Sequence, residues 1–343
     1  MVAHTAEPID TDAVIIGAGP VGLFQAFQLG LLEISCHIVD ALPHTGGQCA
    51  ELYGDKPIYD IPGTVATTGH GLAEALLQQI APFKVPMHLG EQVVSLQREP
   101  DDRLRLSTTR GTVFLAKTVF IAAGVGAFVP RRIGIEGLER FEGTQVFYHP
   151  DTLDRFSGQT VVVNGGDDSA LTTALALVGQ ARHITLLHRR DGFQANPALV
   201  ADMRAQVASG ALHFMVGQPA AYDGQQLQVT VPDGTAVAVA TEALVACLGV
   251  SPRLGPIADW GLALERKQLP VDTEKFQTCE PGIFAVGDIN TYPGKRKLIV
   301  CGFHEATLAA WAATAMVFPG KAIHLQYTTT SSRLHTLLGL APA

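Results

Sequence analysis

At 343 residues, 47% of them apolar and 16% charged, the chain is long enough for two domains of ordinary size, each with its own core. A formal net charge of −8 argues against nucleic acid as a partner, since that affinity is mostly electrostatic. No apolar run reaches the ~20 residues needed to cross a bilayer, and residues 1–11 carry Glu7 and Asp10 where a signal core would be apolar, so a cytoplasmic protein is expected.

Residues 12–16 read as a buried strand, Gly17-Ala18-Gly19-Pro20-Val21-Gly22 as a GxGxxG turn opening an apolar helix to Leu32, and residues 36–40 as a second strand. Gly17 allows the tight turn, Gly19 lets a pyrophosphate approach the backbone, and Gly22 lets the helix pack closely on the strand. The first helical amides, beyond Pro20, and the positive end of the helix dipole hold the phosphates. Asp40 ends the second strand 23 residues after Gly17, where an acid accepts the ribose hydroxyls of an adenosine. Residues 41–50 are too rich in Gly and Pro to suggest a helix, and with Tyr59 to Gly63 they read as loops. Loops at the carboxyl end of a parallel sheet are where ligands lie, which makes Gln48 and Tyr53 candidates for polar and stacking contacts. Tyr53 reads equally well as an ordinary half-buried loop tyrosine.

A helix is expected over residues 71–80, antiparallel strands over 91–97 and 104–109, and a strand over 117–121 running into the small residues 122–126. Phe128-Val129-Pro130 breaks the pattern as an interdomain connection. At Thr160 the opening pattern returns: strand 160–163, turn Gly165-Gly166-Asp167-Asp168-Ser169-Ala170, helix 171–178, strand 183–187. Again 23 residues separate the turn from the end of the next strand, Gly165 from His188. There the first copy has Asp40, and the second has His188-Arg189-Arg190. An acid suits a free ribose 2′-hydroxyl, and arginines grip a 2′-phosphate. The first unit therefore reads as an FAD site, and the second as an NADP(H) site built from Gly165, Gly166, Asp168, Ser169, His188, Arg189 and Arg190. A solvated loop pair is the plain alternative for the two arginines. Asp167 occupies the position of the second glycine. Two unit charges ~5 Å apart at an effective dielectric of ~20 repel by about 3 kcal/mol, so NADPH binding is expected to be weakened unless Asp167 turns away to cap the helix.

Residues 237–247 read as one strand leading into a second connection at 248–252. Residues 283–288 read as a strand ending in Gly287-Asp288, an acid suited to a ribityl hydroxyl or equally to a helix cap. Lys295-Arg296-Lys297 is the densest basic cluster, ordinarily a solvated one. Residues 303–316 read as an Ala-rich helix, and the tail from Leu325 to Leu338 as a capped turn or short helix. The cysteines Cys36, Cys49, Cys247, Cys279 and Cys301 offer no CxxC pair, so neither a zinc site nor a dithiol centre is expected, and Cys36 and Cys247 read as buried, inert thiols.

With GAGPVG, the GGQ loop, GGDDSA, HRRDGF and FAVGDI in order, the whole chain resembles the two-dinucleotide-binding-domain flavoprotein reductases, and among them the thioredoxin-reductase-type ferredoxin–NADP⁺ reductases. Where thioredoxin reductases carry CxxC, residues 147–151 read Phe-Tyr-His-Pro-Asp. Where glutathione-reductase-like enzymes carry a Cys pair, Cys49 stands alone. The resemblance implies an α/β fold of two Rossmann-like, three-layer ββα domains: an FAD domain of residues 1–123 and 250–343, and an NADP(H) domain of residues 124–249. It also implies FAD contacts at Asp40, Gln48, Tyr53, Val93, Phe128, Asp288 and Thr329, Tyr53 and Tyr327 on the two faces of the isoalloxazine, and a homodimer. Asp167 departs from the family's usual glycine.

The implied activity is hydride transfer from NADPH to flavin, then single-electron steps to ferredoxin or flavodoxin. The flavin supplies the reactivity, and no acid–base dyad or covalent nucleophile is expected. An acidic carrier would need a local basic patch such as Arg131, Arg132 or residues 295–297. Two rivals remain: an NADPH-dependent flavin reductase of a quinone or disulfide protein, and a non-catalytic FAD- and NADP-binding regulator.

Overall fold

The computed structural model describes residues 7–148, 150 and 152–340; the side chains of residues 128–130 and 250–252 lie outside that description. It divides into two compact units, Met1–Ala127 with Pro252–Ala343, and Phe128–Ser251. Both are α/β.

In the first unit, strand β1 (Ile9–Ile16) buries Ala13 to Ile16 without alternation, as a strand covered on both faces must. Helix α1 (Pro20–Leu31) starts on Pro20, whose fixed φ and missing N–H suit the first helical position, and buries Leu23, Ala26 and Leu29 in one stripe. Strand β2 (Cys36–Asp40) then runs parallel to β1 with Ile38 opposite Ile15. The region expected to be loop contains a helix, α2 (Gly47–Tyr53). Gly46 (φ +105) and Gly47 (φ +50) make the bend that admits the helix, so the glycines mark an entry. Tyr53 is accordingly the last residue of a helix. Helix α3 (Gly69–Ile80) begins two residues ahead of its expected start because Thr68 Oγ1 accepts the Gly71 amide at 3.0 Å. Met87–Leu89 extends the parallel sheet beyond β2, and Val113–Ile121 pairs with β1 on its other side. Val93–Arg98 and Leu104–Thr108 add the expected antiparallel arm. Both connecting segments, Ala127–Pro130 and Val250–Arg253, are short strands, not breaks.

The second unit repeats the plan. Five parallel strands run in the order Val146–Tyr148, Ala243–Cys247, Thr160–Gly165, His183–His188, His213–Val216. Helix α4 (Asp168–Leu177) follows the glycine turn, and α5 (Pro197–Ser209) follows the arginine loop. The single strand expected over 237–247 is two strands in different sheets. Ala236–Ala240 belongs to an antiparallel three-stranded sheet and Ala243–Cys247 to the parallel one. The chain breaks at Thr241, whose hydroxyl turns back to the Val239 carbonyl at 2.8 Å.

The remaining chain returns to the first unit. Ile283–Ala285 pairs parallel with Val119 to Ile121 and stops there. The expected strand over 283–288 ends early because Gly287 (φ +79) begins a 3-10 turn, Gly287–Ile289. Helix α6 (Ile299–Val317) places the small residues Ala309, Ala310 and Ala313 in the same core as Leu23 and Ala26 of α1. Helix α7 (Ser332–Leu337) is capped by Ser331, whose Oγ accepts the Leu334 amide at 3.2 Å. Separate apolar clusters cover the two faces of the first unit's sheet, giving three layers.

Candidate functional site

The two glycine turns look alike in sequence and behave differently in space. A Cβ on Gly17 would lie 2.4 Å from the Ala122 carbonyl oxygen and one on Gly22 1.9 Å from that of Gly17, so the chain's own packing demands both glycines. A Cβ on Gly19 would meet nothing closer than Gly47 Cα, at 3.9 Å. The packing therefore leaves a cradle over Gly19. The cap of α1 has no side-chain hydrogen bond and its first turn holds no acid, so the first amides and the dipole remain open to an anion. Asp40 stands beside this turn, its Oδ2 accepting the Ala18 amide at 2.5 Å and its Oδ1 the Leu42 amide at 2.8 Å. Burial raises its pKa above the usual carboxylate value, against the lowering effect of those two amides. These residues fit the pyrophosphate and ribose of a dinucleotide.

Helix α2 carries Cys49 and Tyr53 one turn apart, with Sγ and Oη 3.4 Å from each other. Burial, the Cys49 contact and the nearby Asp288 carboxylate all push the Tyr53 phenol's pKa up. The structure thus brings Tyr53, Cys49 and Asp288 together. Gln48 lies half-buried in the first turn of the same helix and makes no side-chain hydrogen bond among the described residues. The Val93 side chain is buried in the sheet core, leaving only its backbone for a ligand. Phe128's side chain lies outside the described residues.

Asp288 is held by an arrangement that sequence reading missed. Glu305, in the middle of α6 and fully buried, accepts hydrogen bonds from the Gly287 amide (2.7 Å), Asn290 Nδ2 (2.8 Å), Tyr292 Oη (2.9 Å) and Lys295 Nζ (2.5 Å). Lys295 Nζ also donates to the Gly287 carbonyl at 2.8 Å. Both backbone groups of Gly287 are therefore clamped by one buried ion pair, and Asp288 follows directly. Lys295 is consequently buried, not part of a solvated basic cluster; Arg296 and Lys297 are the exposed members. A glutamate inside an Ala-rich apolar helix was the available signal.

The tail places Tyr327 and Thr329 on the surface, Tyr327 69% exposed. Helix α7 is anchored at the far end of α1 from the glycine turn, where Arg333 Nη1 donates to the Gly30 carbonyl at 2.8 Å.

In the second unit, Asp167 does turn to cap α4, its Oδ1 accepting the Ala170 amide at 3.0 Å. Asp168 accepts the Asn196 amide at 2.6 Å, tying the turn to the start of α5. Ser169 follows in the first turn of α4. Two carboxylates thus stand at a helix start that is open in the first unit. A Cβ on Gly165 would lie 2.2 Å from the Cys247 carbonyl oxygen, and one on Gly166 would run into the His188 ring at 2.3 Å. His188 stacks on Phe193, centroids 5.6 Å apart, and is held below the usual imidazole pKa by burial and by the charges of Arg189 and Arg190. Arg189 and Arg190 are exposed, with no ion-pair partner among the described residues. This loop fits a 2′-phosphate, while the turn admits a pyrophosphate less freely than its counterpart.

All five cysteines are free. Burial pushes Cys36 up to about 12 and raises Cys247, as inert core thiols require. No helix among the described residues is long and apolar enough to cross a membrane.

Comparison with known proteins places these features in a family. The chain is 56% identical over 351 residues to a ferredoxin–NADP reductase of an Acidovorax strain, covering 98% of this chain and 97% of that protein. It is 54% identical over 339 residues to ferredoxin–NADP reductase 2 of Cupriavidus metallidurans, covering 97% and 92%. Among solved structures it resembles the bacillithiol disulfide reductase of Staphylococcus aureus (TM-score 0.62, 16% identity, 90% of this chain and 99% of that one). It also resembles the thioredoxin reductase of Lactococcus lactis (TM-score 0.57, 24% identity, 90% and 99%), a likeness of fold. Residues 11–312 match the pyridine nucleotide-disulphide oxidoreductase family, and the chain belongs to it.

Proposed function

We propose that this protein passes electrons between NADPH and ferredoxin, or flavodoxin, through a bound FAD and without a redox-active disulfide. The observation that carries the reading is Cys49: the thiol beside the candidate flavin site has the Tyr53 phenol as its partner, and no two cysteines of the chain have CxxC spacing. With no dithiol, electrons must leave from the flavin itself. The names of the full-length relatives agree.

In this reading Gly17, Gly19, Pro20 and Gly22 cradle the FAD pyrophosphate and Asp40 accepts the adenosine ribose hydroxyls. Asp288, steadied by the Glu305–Lys295 clamp, accepts a ribityl hydroxyl; Gln48, Val93, Phe128 and Thr329 add further contacts. Tyr53 covers one face of the ring and Tyr327 the other, the latter from the tail of the second copy in the proposed homodimer, since this chain's own α7 is anchored at the far end of α1 from the glycine turn. Gly165, Gly166, Asp168, Ser169 and His188 shape the NADP(H) site, and Arg189 and Arg190 select the 2′-phosphate. When bound, the flavin supplies hydride acceptance and single-electron release. For docking an acidic carrier there remain either the exposed Arg131 of the second unit or the exposed Arg296 and Lys297 of the first, since Lys295 is buried and Arg132 is paired with Glu142 at 3.0 Å. A cytoplasmic homodimer completes the proposal.

A second reading, a regulator that binds both nucleotides without turnover, draws on the carboxylates of Asp167 and Asp168. Cytochrome c reduction by the purified protein with NADPH or NADH, with and without ferredoxin, separates the readings. NADPH-dependent, ferredoxin-stimulated turnover of a yellow protein is expected. Turnover indifferent to ferredoxin would point to another acceptor, and no turnover to the regulator.

A further inference from the structure

The arginine loop of the second unit is braced from α5. Arg204 sits with its guanidinium 5.5 Å from the Phe193 ring centroid and 5.1 Å from that of Phe214, and it is paired with the carboxylate of Asp191. The two phenylalanines touch each other, centroids 5.3 Å apart, and Phe193 stacks in turn on His188. The loop is also tied back by its main chain: the Gln194 amide donates to the Gly166 carbonyl at 2.9 Å, and the Gly217 amide to that of His188 at 2.8 Å.

Asp191 is the notable member. It directly follows Arg190, so its carboxylate is the nearest possible intramolecular competitor for the two arginines that a 2′-phosphate would need. It is engaged by Arg204 instead, and Arg189 and Arg190 stay unpaired among the described residues. A planar guanidinium suits this place, because it can stack on aromatic faces while its edge pairs with a carboxylate.

We propose that Arg204 is a specificity-determining positioning residue, which occupies Asp191 and stacks on Phe193 and Phe214 so that Arg189 and Arg190 are left uncommitted for a 2′-phosphate. The proposal rests on reading this loop as the NADP(H) site. Arg204 need not touch the nucleotide. Without it, Asp191 is free to pair with its neighbours and mask their charge.

The test is calorimetric binding of 2′,5′-ADP and of 5′-AMP to the full chain, with no turnover involved. Wild type should prefer 2′,5′-ADP. Arg204→Met keeps an apolar stem for the two rings and frees Asp191. It should weaken 2′,5′-ADP about fivefold, the upper range for a partly exposed charge pair, and change 5′-AMP less than twofold. Adding Asp191→Asn to Arg204→Met removes the competitor and should restore most of the loss. A preference for 2′,5′-ADP over 5′-AMP that Arg204→Met leaves undiminished would overturn the proposal alone. So would a loss that Asp191→Asn fails to repair, which would make Arg204 a direct ligand, or an equal loss of both nucleotides, which would mean a damaged fold. Equal wild-type affinities would overturn the 2′-phosphate reading itself, and the role of Arg204 with it.

Discussion

Asp167 and Gly19 occupy equivalent places in the two turns, and their difference sets what each turn can hold. Gly19 leaves its helix start bare, whereas Asp167 delivers a carboxylate that satisfies the Ala170 amide. That hydrogen bond means the charge is aimed at the helix and only partly at an incoming phosphate. The full repulsion of about 3 kcal/mol for charges ~5 Å apart is therefore an upper figure. Asp167→Gly should tighten NADPH about tenfold, read as a dissociation constant. It should lower stability by only a few tenths of a kcal/mol, since glycine is a fair cap. Unchanged affinity would show that the carboxylate stays clear of the phosphates. The presence of Asp167 was plain from the sequence. Its direction was not, because capping and crowding use the same residue at the same place.

Elements show where local pattern suffices and where it fails. Strands β1 and β2 and helices α1, α4 and α6 follow from runs of apolar residues whose period is visible along the chain. Helix α2 did not, since its glycines counted against a helix although two left-handed residues only turn the chain into it. The sheet edge holds a further feature that no single strand reveals. His37 Nδ1 on β2 and His88 Nε2 on the neighbouring strand lie 3.0 Å apart, both beside the Phe114 ring. Burial, then the neighbouring imidazole, holds His37 below its ordinary pKa. Between that lowered value and the ordinary one of about 6.5, the unfolded chain binds more protons than the folded one. Stability therefore rises with pH across the window and is lost on acidification. His88→Gln removes the second imidazole and should flatten the decline of the urea midpoint between about pH 7 and pH 5. Identical slopes for wild type and variant would refute this.

At the scale of the molecule, one unit is continuous in sequence and the other is assembled from two segments. If FAD belongs to the first and NADP(H) to the second, ligands should protect different amides. FAD should slow hydrogen exchange in residues 7–127 and 252–340, and 2′,5′-ADP in residues 128–251, with stabilisation of about 2.7 kcal/mol at a hundredfold excess over the dissociation constant. Protection by FAD centred on residues 160–190 would reverse the assignment. Sequence alone determined the repeated strand–turn–helix–strand units, the acid that ends one and the arginines that end the other. All of these are regular spacings along the chain, where neighbours in sequence are neighbours in space. Tertiary structure alone decided that Lys295 is buried against Glu305 and that Arg204 reaches Asp191 from another element. The first follows from the need of a buried charge for a partner and the second from which elements the fold brings side by side, and composition or period along a chain encodes neither meeting.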